Sequence, residues 1–269
     1  PPPHTYIRTY AHTYIRTYVH TYIRTYVHTY IRTYVHTYIH TYIHIHTNVH
    51  TYIHACMQAD RNKDKEINLE QLKSTNDVFE AGLKLMAMPK GLHDLEVNDN
   101  NQKTLFISVH GNNSRGYEWI YPLQVINNEI NLITFFRWDD NSCVSPSVKF
   151  LNDLIQDKLS NNKNIQKIIL FGHSYGGLLV ASFMEQWRGE LPLEVHTIAA
   201  PLKGLGSLSV VCNYRAPEQI PKKSSLFEWR TIHKLDGAFQ DLNYDPQNVE
   251  IKGSNITRLP EKYKNNKLV

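Results

Sequence analysis

The sequence predicts an α/β protein in which helices flank a mostly parallel central sheet, formed by residues 102–269. Two observations support this class. From residue 103 onward, short apolar runs alternate with amphipathic stretches, which is typical of strand–helix–strand units around a parallel sheet. One of these runs leads directly into the glycine-rich sequence Gly172-His173-Ser174-Tyr175-Gly176-Gly177, and an apolar helix follows.

The predicted elements follow one another in a regular order. Strands are expected at the short apolar runs 104–109, 132–137, 165–171, 194–199 and 229–234, with a last one at 249–252. Helices are expected where apolar residues recur at helical spacing, at 76–88, 148–159 and 178–187. Pro89 and Gly91 end the first of these helices.

Residues 1–54 differ from the rest of the chain. They contain four Arg but no Lys, Asp or Glu, and they hold ten of the 15 His and 11 of the 17 Tyr. From His4 to His54 the sequence repeats Thr-Tyr-Ile/Val-Arg/His with a period of four, which is shorter than a solenoid repeat. The DNA unit ACAT, read as ACA-TAC-ATA-CAT, encodes Thr-Tyr-Ile-His, and single A-to-G changes give the observed Val and Arg. We therefore interpret residues 1–54 as a translated microsatellite and not as a folded domain.

A His-rich metal site or a Tyr-rich adhesive strand is the functional alternative for this repeat, since imidazole binds zinc and copper. That alternative is weaker, because no Asp or Cys converges on the histidines to fix the geometry of a site. No metal and no cofactor are expected for the chain.

The charge of the chain argues against a nucleic-acid partner. Removing the four arginines of the repeat from the 29 basic residues leaves 25 against 25 acidic ones, so the net charge of +4 lies wholly in the repeat. Nucleic-acid binding needs a basic patch on a folded face. The chain contains no run of about 18 apolar residues, so no transmembrane helix is expected. No signal peptide is visible either, and the localisation stays open because the chain begins at Pro1.

Three cysteines, Cys56, Cys143 and Cys212, are scattered through the chain without a Cys-x-x-Cys spacing. Their odd number and wide spacing argue against a disulfide framework and against a zinc cluster. We therefore expect three ordinary thiols.

Residues 55–101 are expected to form a charged linker with a short helix. The charged cluster resembles the first positions of an EF-hand calcium loop at Asp60, Asn62 and Asp64. Lys65 stands where that loop needs a glycine, and Gln71 stands where it needs a bidentate glutamate. A solvated run of charges explains the same residues and is the preferred interpretation.

Ser174 lies at the centre of the predicted strand-to-helix turn. Such a turn forces its central residue into a strained backbone conformation, and the flanking residues must be small because larger side chains would collide with neighbouring elements. The serine hydroxyl would be exposed above the sheet at a helix N-terminus, where the helix dipole favours negative charge. A phosphate-binding loop fits less well, since neither Gly-x-x-x-x-Gly-Lys nor Gly-x-Gly-x-x-Gly is present.

A second loop, His110-Gly111-Asn112, follows the predicted strand 104–109. Acyl transfer needs two backbone N–H donors, one directly after the nucleophile and one from a loop after an earlier strand. With this loop and the serine turn, residues 104–269 resemble lipases and esterases of the α/β-hydrolase superfamily. The resemblance implies that the N–H groups of Asn112 and Tyr175 form the oxyanion hole, and that His110 is structural.

The resemblance also implies the chain order nucleophile, acid, histidine. Asp236, in a segment that ends in Asp-Gly, is the expected acid, and Asp241 is the second choice. A plain turn residue remains the alternative for Asp236. No His follows His233, so we expect the fold to be incomplete at the C-terminus and the chain as given to be nearly inactive.

The resemblance therefore implies a serine hydrolase that acts on a small-molecule ester or lipid-like substrate through an acyl-enzyme on Ser174. A thioesterase, an amidase or an acyltransferase would use the same groups, and the fold does not choose among them. The alternative from a different class is a non-catalytic, hydrolase-like scaffold, or an inactive fragment that lacks the triad histidine.

Overall fold

Seven strands form one sheet in the part of the chain that the computed structural model describes, which comprises residues 67–73, 77–97, 99 and 101–261. In chain order they are β1 (Gly91–Asp94), β2 (Thr104–Val109), β3 (Asn131–Arg137), β4 (Lys167–His173), β5 (Leu193–Ile198), β6 (Ser224–Arg230) and β7 (Asn255–Arg258). Across the sheet the order is β1-β3-β2-β4-β5-β6-β7. Strand β1 is antiparallel to β3, and every other pair is parallel. The predicted α/β class is confirmed.

Two helices of the same residues precede β1, and the others lie between successive strands from β2 to β6. They are α1 (Leu69–Lys73), α2 (Val78–Ala87), α3 (Tyr117–Ile126), α4 (Val144–Asn161), α5 (Tyr175–Gln186) and α6 (Gly206–Val211), with a turn of 3-10 helix at His233–Leu235. The three helices predicted from apolar spacing correspond to α2, α4 and α5. Helices α1, α3 and α6 and strand β1 were not predicted.

Hydrophobic side chains are buried on both faces of the sheet, as a parallel sheet requires. One cluster, which includes Leu170 and Leu178, contains residues of α4 and α5. The other, which includes Leu85 and Phe106, contains residues of α1, α2 and α3. Strand β2 is buried along its whole length. The parallel strands all end at the same edge of the sheet, so the loops that follow β2 to β6 meet there; we call this the carboxyl edge.

The predicted strand 229–234 is displaced in the structure. The strand is Ser224–Arg230, and residues 233–235 form the 3-10 turn. Glu228 and Arg230 are both buried in this strand and pair with each other, with Oε2 and Nη2 2.7 Å apart. Because these two buried residues are charged, the strand does not form a continuous apolar run, and a search for such runs does not find it.

The predicted last strand, 249–252, is wrong. Of these residues only Lys252 makes a β-bridge, an isolated one to Gln219. The last strand is Asn255–Arg258, and all four of its residues are exposed. It pairs only with β6 and lies at an edge of the sheet, so its residues can be polar and give no apolar signal.

The expectation of three ordinary thiols is also wrong, because Cys143 and Cys212 form a disulfide. Their Cα atoms are 5.4 Å apart, although 69 positions separate them along the chain. Cys143 is the N-cap of α4, and Cys212 directly follows α6, so the fold and not the sequence spacing brings them together. Cys56 lies outside the described residues.

Two further interpretations concern residues outside the described ranges. These are the repeat at 1–54 and the EF-hand-like positions from Asp60 to Lys65. None of the helices in the described part of the chain is long and apolar enough to cross a membrane.

Candidate active site

Ser174 lies at the junction of β4 and α5, with φ of 50° and ψ of −117°. Its backbone N–H donates to the carbonyl of Ile198 on β5 at 2.8 Å, and its own carbonyl accepts from the N–H of Gly177 at 2.9 Å. The strand therefore passes into the helix within one residue, and that residue has a left-handed φ, which side chains with a Cβ rarely adopt.

The glycines around Ser174 are required by close backbone contacts. A Cβ added to Gly172 would lie 2.4 Å from the carbonyl oxygen of Gly176. One added to Gly176 would lie 2.4 Å from the carbonyl oxygen of His110, and one added to Gly177 would lie 2.3 Å from the Cβ of Ala200. The elbow is thus packed between the loops that follow β2 and β5, and no side chain fits in these gaps.

The loop after β2 lies directly against the elbow. A Cβ on Gly111 would be 3.1 Å from the Cβ of Ser174 and 3.1 Å from the carbonyl oxygen of His173. The backbone N–H groups of Asn112 and Tyr175 donate no hydrogen bond within the described residues. Asn112 directly follows Gly111 and Tyr175 directly follows Ser174, so the two N–H groups belong to the two segments that are in contact here.

His110 holds this loop in place and is fully buried. Its Nδ1 donates to the carbonyl of Gly111 at 2.9 Å, and its Nε2 accepts from Nη1 of Arg137 at 2.6 Å. Burial lowers the pKa of His110 from 6.5 to about 4, and the positive charge of Arg137 acts in the same direction. The imidazole is neutral at pH 7 with both nitrogens engaged, so His110 is a structural residue of the loop.

Two residues that follow β3 also anchor the loop. Trp138 donates from Nε1 to the carbonyl of His110 at 2.9 Å. The carbonyl of Asp140 accepts from Nδ2 of Asn112 at 2.6 Å, and Oδ2 of Asp140 accepts from the backbone N–H of Asn113 at 2.7 Å. The side chain of Asn112 is thereby turned toward the β3 loop.

Tyr175 fixes the start of α5 through its side chain. The hydroxyl donates to the carbonyl of Ser142 at 2.8 Å, and the ring centroid lies 5.1 Å from that of Trp138. Burial raises the pKa of Tyr175, which therefore stays a neutral hydrogen-bond donor. These two contacts of Tyr175 join the segment after β4 to the loop after β3.

Asp236 lies on the loop after β6, at the end of the 3-10 turn. Its Oδ2 accepts from the hydroxyl of Thr231 at 2.5 Å, and its Oδ1 accepts from the N–H of Ala238 at 3.0 Å. Its negative charge opposes the lowering of the pKa of His173, the residue before Ser174. Asp241 is exposed.

The remaining histidines near the site do not complete a triad. His233 is held in its turn by a hydrogen bond between Nε2 and the carbonyl of Phe239 at 2.8 Å. His173 is half-buried, and burial lowers its pKa. The negative charges of Glu118 and Asp236 act in the opposite direction and raise it. The sequence contains no histidine after His233.

Sequence reasoning missed the residues that anchor the oxyanion loop from β3, namely Arg137, Trp138 and Asp140. A signal for them exists: a strongly apolar strand ends in Arg-Trp-Asp-Asp at the carboxyl edge. Their partners lie 27 or 28 positions earlier in the chain, so only the pairing of β2 with β3 shows the contact.

No protein-family model matches the chain, and neither does any curated protein. Several solved structures are similar. A lipase-esterase related protein from Clostridium acetobutylicum shares 13% identity over 62% of this chain and 89% of its own, with a TM-score of 0.42. A monoacylglycerol lipase from Paleococcus ferrophilus shares 13% identity over 64% and 89%, with a TM-score of 0.43. Est1E from Butyrivibrio proteoclasticus shares 11% over 60% and 80%, with a TM-score of 0.43.

The fold assignment rests on the geometry described above. The first strand is antiparallel in an otherwise parallel sheet, and the glycine loop after β2 lies beside the elbow. An acidic residue follows β6 at the same edge. Together with the strand-to-helix elbow at Ser174, these features identify the described body of the chain as an α/β-hydrolase fold.

Proposed function

We propose that this chain is a serine hydrolase that acts on carboxylic esters through an acyl-enzyme on Ser174. The observation that supports this most strongly is the elbow, where a residue with φ of 50° is packed against the loop of Gly111. The N–H groups of Asn112 and Tyr175 donate no hydrogen bond within the described residues. Strained residues of this kind persist where the surrounding structure enforces them, and they cluster at active sites.

In the proposed mechanism, Oγ of Ser174 attacks the carbonyl carbon of the ester. The oxygen of the tetrahedral intermediate accepts hydrogen bonds from the N–H groups of Asn112 and Tyr175, and the dipole of α5 adds to this stabilisation. The alcohol leaves, and water then attacks the acyl-enzyme. Asp236 is the acid that would orient a histidine base.

The proton of Ser174 requires a base, and the fold supplies it from the loop after its last strand. Here Leu259 and Pro260 follow β7, and no histidine comes later in the sequence. Loss of a triad member lowers the rate by about 10⁴- to 10⁶-fold in a comparable serine protease. The rate of the proposed reaction therefore depends on a base, and a non-catalytic scaffold is the alternative function.

Labelling with a fluorophosphonate, with and without added imidazole, tests the proposal. Imidazole in solution can serve as the missing general base, so we expect labelling of Ser174 to rise with imidazole concentration. Ser174→Ala should abolish the label, whereas Ser182→Ala, on the same helix, should leave it unchanged. A folded chain that gains no label at any imidazole concentration would support the scaffold instead.

A further inference from the structure

The peptide unit between Gly111 and Asn112 carries one of the two N–H groups of the proposed oxyanion hole. Peptide units are planar, and those of the described residues are all trans, so the carbonyl of Gly111 and the N–H of Asn112 point in opposite directions. A group that holds this carbonyl therefore also sets the direction of that N–H. The carbonyl accepts from Nδ1 of His110 at 2.9 Å, and no other group among the described residues donates to it.

The hydrogen bond from His110 requires one tautomer of its imidazole. Nδ1 has to carry a proton, because the carbonyl of Gly111 can only accept. Burial lowers the pKa of His110 to about 4, so at pH 7 the ring carries a single proton and Nε2 is left as an acceptor. In the other tautomer, Nδ1 would present a lone pair to the oxygen of Gly111, and the two groups would repel each other. The direction of the N–H of Asn112 thus depends on which nitrogen of His110 is protonated.

Arg137 favours this tautomer from the other side of the ring. Its Nη1 lies 2.6 Å from Nε2 of His110. A guanidinium group has N–H donors but no acceptor, so Nε2 can bind it only as an acceptor. The backbone N–H of Trp138 approaches the same nitrogen at 3.4 Å and is a second, longer donor. Protonation of Nε2 would place a third N–H against these two donors, which disfavours it.

Two elements hold the guanidinium group of Arg137. Its Nε donates to the carbonyl of Met86, in the last turn of α2, at 3.0 Å. Its backbone ends β3 and is paired with Gly91 of β1. The side chain is therefore fixed at its base by the sheet and at Nε by the helix, which leaves Nη1 directed at His110.

We propose that Arg137 is a positioning residue of the oxyanion hole: it keeps His110 in the tautomer protonated at Nδ1, and His110 thereby sets the direction of the N–H of Asn112. The hydrogen bonds of the Arg137 side chain go to Met86 and His110, so its effect on the loop passes through His110. As an influence on catalysis, this role rests on the proposed function. The choice of tautomer does not.

Nitrogen-15 NMR of the full chain tests the choice of tautomer without a measurement of activity. At pH 7, the imidazole resonances that vanish in His110→Gln should show a protonated Nδ1 and an unprotonated Nε2. A coupling across the hydrogen bond should join Nε2 to Nη1 of Arg137. Arg137→Met should remove this coupling and shift His110 toward the tautomer protonated at Nε2.

Two further variants serve as controls. Arg137→Lys keeps a charged donor and should restore the parent tautomer. Arg188 follows α5 and donates only to the backbone carbonyls of Glu185 and Trp187, so Arg188→Met should leave His110 unchanged. An unchanged tautomer in Arg137→Met would overturn the proposal. If that variant does not fold, the parent spectrum still decides, because a protonated Nε2 or a missing coupling overturns it as well.

Fluorophosphonate labelling in imidazole extends the test to Ser174. The phosphoryl oxygen of the probe takes the position of the oxyanion, so a misdirected N–H of Asn112 slows the reaction. We expect Arg137→Met to label about 10- to 100-fold more slowly than the parent, since loss of one oxyanion donor costs about 10²–10³ in rate. Arg137→Lys should recover most of this loss, and Arg188→Met should label like the parent.

The labelling outcomes separate the positioning role from the proposed function. Equal rates for the parent and Arg137→Met would overturn the positioning role. If the parent takes no label at any imidazole concentration, the proposed function fails. The NMR result alone then decides whether Arg137 sets the tautomer of His110.

Discussion

Ser174 occupies a backbone conformation that destabilises the folded state. A residue with a Cβ in such a sparsely populated region costs roughly 1–3 kcal/mol of folding free energy. The cost is imposed by the surroundings, because Gly172, Gly176 and Gly177 leave the backbone no room to relax. Ser174 is thus held by its neighbours and not by its own preferences.

This strain reverses the usual order, in which an alanine variant is more stable than a glycine variant. Ser174→Gly should be more stable to urea than Ser174→Ala by about 1 kcal/mol, since glycine removes the strain that alanine retains. Ser182, within α5, provides the matched control, where alanine should be the more stable residue. If alanine is the more stable residue at both positions, Ser174 is not strained.

At the scale of elements, α2 and α3 cross at unusually close backbone contact. A Cβ on Gly82 would lie 2.4 Å from the backbone nitrogen of Tyr117, and one on Gly116 would lie 2.4 Å from the carbonyl oxygen of Gly82. Gly116 also has φ of 80°, which favours glycine. Because α3 follows the loop of Gly111, this crossing helps to fix where the loop ends.

Gly82→Ala is therefore expected to destabilise the protein, even though alanine favours a helix more than glycine does. The added methyl forces the two helices apart, and overpacking of this kind costs about 1–3 kcal/mol. The urea unfolding midpoint measures the effect. Gly206→Ala, where an added Cβ meets nothing within 4 Å, is the control and should change the midpoint little. A midpoint for Gly82→Ala equal to that of the parent would contradict the close crossing.

At the scale of the whole molecule, three histidines among the described residues lie in environments that disfavour their charged form. Burial lowers the pKa of His110, His173 and His196. His196 is stacked between the rings of Phe171 and Phe227, at centroid distances of 4.0 Å and 4.8 Å. The unfolded chain therefore binds more protons than the folded one at mildly acidic pH.

The sign of the pH dependence follows from this difference. The stability that these histidines contribute is fully present above pH 6.5 and is lost as pH falls toward about 4, the pKa of folded His110. For His110 alone, the loss at pH 5 is on the order of 2 kcal/mol. Urea unfolding at several pH values measures it, and His110→Gln should flatten the dependence. A slope that is the same in the variant would contradict a neutral His110.

The sequence predicts strands β2, β3 and β4 better than strands β6 and β7. Strands β2 and β3 are buried on both faces, so they appear as continuous apolar runs. Strand β4 alternates buried and half-buried residues, but Ile168–Phe171 are all apolar and give the same signal. Strand β6 contains the buried Glu228–Arg230 pair, and β7 is an exposed edge strand. Neither strand therefore forms a continuous apolar run. The glycines at Ser174 could be interpreted because the turn that they flank lies within a short run of sequence, residues 172–177. Arg137 and the disulfide could not be found, because their contacts depend on strand order.

The strained elbow also has an evolutionary consequence. Mutation to glycine at position 174 would relieve the strain, so a lineage under selection for stability alone would drift away from serine. Proteins generally stay only slightly above the stability that their function requires, and a residue that costs stability is a place where a stabilising substitution is available. Under the proposed function, serine persists at this strained position because its hydroxyl is used.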